Sequence, residues 1–246
     1  MPAKTFIQHA IKALAVLERS QRRNIVKAAG LMVAAVADNR SIFSFGATHS
    51  FILTEEMVYR TGGLMLVNPI YPHGMNTFVR PMTLTSRLER VEGVGTELLD
   101  GSPARRGDVL IITSTSGRNA VAIDMAIAAR RKKISVIGIT SLAYSRRVKS
   151  RHSSKKKLAD LCHVVIDNGA PYGDAVVTIP GFPQKVAPLS SLTGVAIVNS
   201  LVAEVVARLV ALGMNPPVFM SANIDGADAY NARLLAANEH RIHYMG

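Results

Sequence analysis

Val109 to Asn119, VLIITSTSGRN, sets four consecutive hydroxyl side chains, Thr113, Ser114, Thr115 and Ser116, between an aliphatic run and a helix-forming segment. Val109 to Ile112 lack polar alternation, which fits a parallel strand buried on both faces. Gly117 permits a tight turn, and a helix starting near Arg118 presents unpaired N–H groups at the positive end of its dipole. Hydroxyls and amides gathered in this way suit a phosphate monoester, although the same groups also serve as ordinary helix caps. No lysine follows Gly117 in P-loop fashion and no GxGxxG is present, which makes nucleoside triphosphates and dinucleotides poor ligands. A second loop has the same design. Ser41 to Phe45 is a short β-prone run, followed by Gly46, Ala47, Thr48, His49 and Ser50 and then by the helical FILTEEMVYR. Two strand–loop–helix units ending in small hydroxyl residues point to one shared site at the carboxyl edge of a parallel sheet.

The elements that must carry these loops follow from periodicity and punctuation. A helical arm is expected from about Thr5 to Ala37, with a possible break near Ser20, and Asp38-Asn39-Arg40 ends it. Strands are expected at Ser41 to Phe45, Leu64 to Val67, Asp108 to Ile112, Ile134 to Ile139 and His163 to Ile166, and an edge strand at Ala175 to Ile179, before Pro180. Helices are expected at His49 to Arg60, Asn119 to Arg130, Ser190 to Leu212 and about Ala227 to Arg241, the last with Asp225 or Gly226 near its start. Asn68 to Pro81, with its prolines, is an irregular loop of the kind that carries function. Strands alternating with helices at this spacing imply right-handed βαβ crossovers and a parallel sheet.

Composition sets limits. The 246 residues suffice for one large domain with a sizeable core; 48% are apolar, tryptophan is absent, and neither a repeat nor a low-complexity tract is apparent. The single cysteine, Cys162, excludes an intramolecular disulfide framework and a multi-cysteine zinc site, and favours a reducing cytoplasm. The N-terminus lacks the apolar core and cleavage site of a secretory signal. Leu192 to Leu212 is the longest apolar stretch, but it carries Asn199, Glu204 and Arg208, which disfavours a membrane span and suits a buried or interface helix. The formal net charge is +12. Much of the excess sits in Arg146 to Lys157, RRVKSRHSSKKK, which reads as a solvated basic loop or a cationic field around an anion site; nucleic acid is a weaker reading because no binding motif or aromatic cluster accompanies the charge.

The blocks VLIITSTSGRN, FGATHS and VIGITS resemble the sugar isomerase (SIS) domain, and the resemblance covers nearly the whole chain. More narrowly, TEEMVYRTGGLMLVNPI, SRRVKSRHSSKKKLADLCHVVIDNGAPYGDA and PVFMSANIDGAD are similar to a stand-alone bacterial SIS family whose reaction has often been left unassigned. The resemblance implies an α/β fold, a three-layer αβα sandwich with a five-stranded, mainly parallel, flavodoxin-like sheet. It implies one SIS domain over residues 1–246, with 1–38 as its helical arm. It also implies that Ser114, Thr115, Ser116 and Asn119 hold a sugar phosphate while Gly117 makes the close turn. The first loop of such domains usually reads G-x-G-x-S and helps to hold the sugar; here it runs Gly46 to Ser50, with Thr48 in place of the second glycine and His49 adding an imidazole.

Aldose–ketose isomerisation needs a base that moves a proton between C1 and C2, and β-elimination needs a base at C2 with an acid for the leaving group. Glu55 and Glu56 lie about a turn into the helix after the first loop; side chains of helix neighbours point about 100° apart, so at most one faces the sugar. Glu56 is the preferred base, Glu55 the alternative, and His73 in IYPHGM the second acid/base. His49 caps its helix or touches substrate, His152 adds charge near the mouth or is merely solvated, and His240 and His243 are positioned to complete a neighbour's site. No spacing of His and carboxylates makes a metal site, and no cofactor is expected. The expected protein is a cytoplasmic homodimer or higher homo-oligomer that binds a small sugar phosphate, with no membrane association and no nucleic-acid partner. Its expected reaction is isomerisation of a hexose or amino-sugar 6-phosphate; the alternatives are a dehydratase or lyase on an N-acetylhexosamine 6-phosphate and a non-catalytic phosphosugar sensor.

Overall fold

The computed structural model describes residues 1–245. Its centre is a five-stranded parallel sheet of β1 (Ile42–Gly46), β2 (Val67–Pro69), β3 (Val109–Thr113), β4 (Ser135–Thr140) and β5 (Val164–Asp167), in the spatial order β2-β1-β3-β4-β5. Side-chain alternation on the central strands splits the core into two layers. Val109 and Ile111 of β3 join one cluster, with Ile42, Ile137, Ile139 and Ile166; Leu110 and Ile112 join the other, with Phe43, Phe45 and Val136. Helices α1 (Pro2–Ala37), α2 (Ile52–Met57) and α7 (Ser190–Ala211) cover the first face. The second is covered by α4 (Val94–Asp100) and α5 (Ala120–Arg131). This is the three-layer αβα sandwich. Each fully buried aliphatic side chain contributes on the order of 1.5–3 kcal/mol, which is why strands without polar alternation settle between two helical layers.

Helix α1 is continuous through Ser20 and spans about 54 Å at 1.5 Å per residue. The expected break is absent because Gln21 turns inward, where its side-chain carbonyl accepts a hydrogen bond from Asp167 N–H at 3.0 Å. Helix α7 is long and apolar enough to cross a membrane by length and composition. Here Ile197, Val198, Leu201, Val205 and Leu209 pack it onto the core, and Glu204 pairs with Arg208 at 2.7 Å.

Several expected elements differ. Leu64 forms an isolated antiparallel bridge with Val218, so the second strand begins only at Val67. The helix expected over His49 to Arg60 is a 3₁₀ turn, Thr48–Phe51, followed by the short α2. Residues Ala175–Val177 (β6) do not edge the main sheet; they pair antiparallel with Val186–Pro188 (β7) in a separate ribbon. Helices α3 (Thr83–Leu88) and α4 were not expected, nor was α6 (Leu142–Arg147), which takes in the first residues of the basic segment. The last helix, α8 (Ala227–Ala237), starts after Gly226 and hands over to a 3₁₀ turn at Glu239–Arg241. Cys162 donates to the Leu158 carbonyl, and burial pushes its thiol pKa up to about 12, so it is a packed and unreactive side chain.

Candidate functional site

The strand order reverses between β1 and β3, and in open α/β sheets that crevice, beyond the carboxyl ends of the strands, is where ligands bind. A cavity of about 370 Å³ occupies it. The loops after β1 and β3 form its walls through Ala47, Thr48, His49 and Ser50 on one side and Ser114, Thr115, Ser116 and Asn119 on the other.

The second loop leads into α5, whose N-cap is Asn119. No side chain caps that helix end, so the reading of Ser114 and Ser116 as plain caps does not describe the structure. Backbone bonds fix the loop: Ser114 N–H donates to Ile139 O, Gly117 N–H to Ser114 O, and Ser141 N–H to Thr115 O. Gly117 takes φ +62°, the left-handed region that glycine enters without strain, and an added Cβ would meet Thr140 Oγ1 at 3.0 Å. Among the described residues, the N–H groups of Thr115 and Ser116 and the hydroxyls of Ser114, Thr115 and Ser116 have no protein partner. They remain open to the cavity.

In the first loop, Gly46 is required by close approach, because a Cβ there would run into the Ser50 carbonyl and, at 2.8 Å, the Phe51 nitrogen. Thr48 adopts φ +53°, so the position where glycine is usual keeps the left-handed backbone while carrying a β-branched side chain. Its N–H is anchored on Met75 O at 2.7 Å.

The expected acid/base residues are not brought to this cavity. Because a 3₁₀ turn precedes α2, Glu55 faces solvent and Glu56 faces α7, where it accepts from Asn199 Nδ2 at 3.1 Å and lies 3.5 Å from Arg60. His73 is exposed beside the Tyr71 ring. His240 is bonded to Asn39 at 2.9 Å, and His243 stacks on Phe43 with ring centroids 5.7 Å apart. The cavity instead holds Glu89, Asp174, Tyr144 and Asn168. Glu89 follows α3 and accepts from Asn119 Nδ2, whose Oδ1 in turn accepts from Arg151 at 2.9 Å. Asp174 is occupied at the start of α7, accepting from Leu189 N, Ser190 N and Ser190 Oγ at 3.1, 2.8 and 2.6 Å. Tyr144 meets Tyr172 edge to face at 5.0 Å, and the Arg147 guanidinium lies over the Tyr172 ring. No local spacing marks Glu89 in SRLERVEG. Asn168 and Tyr144 stand just past β5 and β4, at the carboxyl edge of the sheet.

The basic segment beyond α6 is pinned beside the site. His152 is buried; its Nδ1 accepts from Ser154 N–H at 3.0 Å, so its proton sits on Nε2, which donates to Asp124 Oδ1 at 2.8 Å. Glu92 accepts from both Ser153 N–H and Ser153 Oγ, which lowers its pKa. Partial burial, then the nearby Arg118 and Arg90 guanidinium groups, depress the Arg151 pKa, and Arg151 reaches the cavity wall through its bond to Asn119. Among the described residues no three His, Cys, Asp or Glu side chains converge as metal ligands.

The family model described as SIS domain matches residues 5–141. A UPF0309 protein of Shouchella clausii is 49% identical over 219 residues, 89% of each chain, and one of Oceanobacillus iheyensis is 45% identical over 242 residues, 98% of each. Among solved structures, a phosphoheptose isomerase from Francisella tularensis superposes with a TM-score of 0.56 at 12% identity, covering 82% of this chain and 95% of its own. Phosphoheptose isomerase GmhA from Neisseria gonorrhoeae gives 0.53 at 17% identity, with the same coverages. The Vibrio vulnificus NanR protein complexed with ManNAc-6P gives 0.51 at 16%, covering 99% of this chain and 70% of its own. At such identities the structural likeness is one of fold.

Proposed function

Because the chain belongs to the SIS domain family and, within it, to the UPF0309 proteins, we propose that the β1–β3 crevice binds a phosphosugar and catalyses its aldose–ketose isomerisation. The observation that carries this is the open set formed by the hydroxyls of Ser114, Thr115 and Ser116 and the N–H groups of Thr115 and Ser116 in the loop ahead of α5, for which no partner exists among the described residues. A phosphate monoester supplies the acceptor oxygens and negative charge that such a set lacks. Gly46, Thr48, His49 and Ser50 close over the sugar from the opposite wall, and Asn119 holds the wall between them. Of the two carboxylates in the cavity, Asp174 is committed to α7, which leaves Glu89 as the base that moves the C1–C2 proton and His49 as the partner acid/base.

The test is incubation with hexose and N-acetylhexosamine 6-phosphates in deuterated water, followed by NMR. Exchange at C1 or C2 with an aldose–ketose pair is the expected result. An unsaturated product moves the assignment to a lyase or dehydratase. Binding without exchange favours a sensor, a reading supported by the fact that both cavity carboxylates are already hydrogen-bonded within the chain. Two copies are proposed to pair through the exposed apolar stripe of α1.

A further inference from the structure

Two polar side chains in the cavity wall are buried and without partners. Thr113 is 3% exposed and its Oγ1 makes no hydrogen bond; Asn168 is 1% exposed and its Nδ2 makes none. The orientation of the Asn168 amide is fixed chemically, because its other terminus accepts Ala170 N–H at 3.1 Å and must therefore be the oxygen. The free terminus is a donor with nothing to donate to, which costs stability in the ligand-free protein unless a ligand or solvent answers it.

Its position separates it from the phosphate loop. Thr140 stands between the two, its Oγ1 donating to Thr115 O and its carbonyl accepting Asn168 N–H. Tyr144, Gly173, Asp174 and Ser190 line the same cavity as Asn168. Both lining carboxylates are engaged: Asp174 takes three donors from the start of α7 and Glu89 accepts from Asn119. The Asn168 amide thus offers the cavity an unanswered donor, while the lining carboxylates are already taken.

We infer that Asn168 is a specificity residue for the body of the sugar, selecting a phosphosugar whose ring substituent presents an acceptor oxygen, an acylamino carbonyl, over one bearing a free ammonium, and that the same ligand satisfies the second unanswered group, the Thr113 hydroxyl at the end of β3. The inference rests on the phosphosugar reading above. A carbonyl accepts a hydrogen bond from Asn168 Nδ2 and needs no acceptor in return; a protonated amine brings further donors to a cavity whose carboxylates are already engaged.

The experiment uses three probes on the full chain: N-acetylglucosamine 6-phosphate, glucosamine 6-phosphate and inorganic phosphate, measured by calorimetry. The wild type is expected to bind the acetylated sugar at least about tenfold tighter than the free amine, the worth of one satisfied buried donor. Asn168→Asp keeps the oxygen that accepts Ala170 N–H and replaces the donor by an acceptor; it should abolish or invert that preference while inorganic phosphate binds as before. If Asn168→Asp weakens inorganic phosphate as much as the sugars, the side chain belongs to the phosphate cradle and the inference is wrong. Unchanged affinities, or a wild-type preference for the amine, also overturn it. If neither sugar phosphate binds the wild type, the phosphosugar reading fails first and takes this one with it. Thr113→Val guards against loss of folding. It should raise the thermal midpoint of the ligand-free protein by about 2 °C and shrink the shift produced by the acetylated sugar. A lower ligand-free midpoint would show the hydroxyl to be structural.

Discussion

Glu89 and Glu56 illustrate how burial and partner, more than residue type, decide what a carboxylate does. Glu89 lines the cavity with its carboxylate oriented by Asn119, whereas Glu56 is tied to Asn199 and Arg60 on the α7 side. Glu89→Gln should therefore lower kcat on an authentic phosphosugar by roughly 10²- to 10⁴-fold with little change in KM, the range for loss of a general base. Glu56→Gln should leave kcat unchanged and cost less than about 1 kcal/mol in chemical denaturation, as for other half-exposed pairs. The reverse pattern would return the base to α2. Thr48 is a second case at this scale. A β-branched residue at φ +53° is strained, a cost of order 1–3 kcal/mol, of which glycine would relieve part. Thr48→Gly is expected to stabilise the fold by about 1 kcal/mol in urea titration, while loosening the first loop and weakening phosphosugar binding. A destabilised variant would mean that the threonine packing outweighs the backbone strain.

At the scale of elements, α4 lies against α5 because Gly95 lets it: a Cβ would meet the Val121 carbonyl and, at 2.8 and 2.9 Å, Met125 N and Asp124 Cβ. Gly95→Ala must push the helices apart and should cost roughly 1–3 kcal/mol, read as a lower urea midpoint. The displaced pair would also disturb Asp124, which holds both Gly93 N–H and His152. The junction of β4 and β5 has a pH dependence. His163 Nδ1 accepts Val136 N–H at 2.9 Å, and burial, then Arg130, lowers its pKa below the ordinary 6.5. The neutral ring is the folded form, so its contribution is complete above pH 6.5 and is lost as pH falls through the lower folded value. His163→Asn should flatten that part of a thermal-midpoint profile. The sequence makes some of this architecture legible. The strand–loop–helix around Ser114 is visible because its pattern is local, as is the aliphatic run of each central strand. Glu89, Tyr144, Asn168 and Asp174 reach the cavity only through strand order, which no spacing encodes. The 3₁₀ turn before α2 and the pairing of Leu64 with Val218, 154 positions apart in the chain, are likewise invisible to local periodicity.

The whole molecule carries a long helix whose first half is only partly used. Ile7, Ile11 and Leu14, spaced four and three apart, lie on one face of α1 and are 58%, 63% and 36% exposed. Ala10 and Leu17, each three residues on from Ile7 and Leu14, are buried along one flank of this face, so the exposed stripe borders the contacts that the helix already makes. The net charge of +12 opposes unspecific association, which makes an apolar, register-fixed contact the economical way for two copies to meet. Sedimentation equilibrium is expected to give a dimer for the wild type and a monomer for Ile11→Asp, because burying a carboxylate in an apolar contact carries a desolvation cost that the contact cannot offset. A dimer persisting in Ile11→Asp would place the contact elsewhere. The monomer then separates two designs for the site. Since the phosphate loop, Glu89 and Asn168 all come from one chain, inorganic phosphate should bind the monomer as tightly as the dimer. If catalysis also survives, one chain suffices for the chemistry; if phosphate binding persists while turnover is lost, the missing acid/base group is supplied across the dimer.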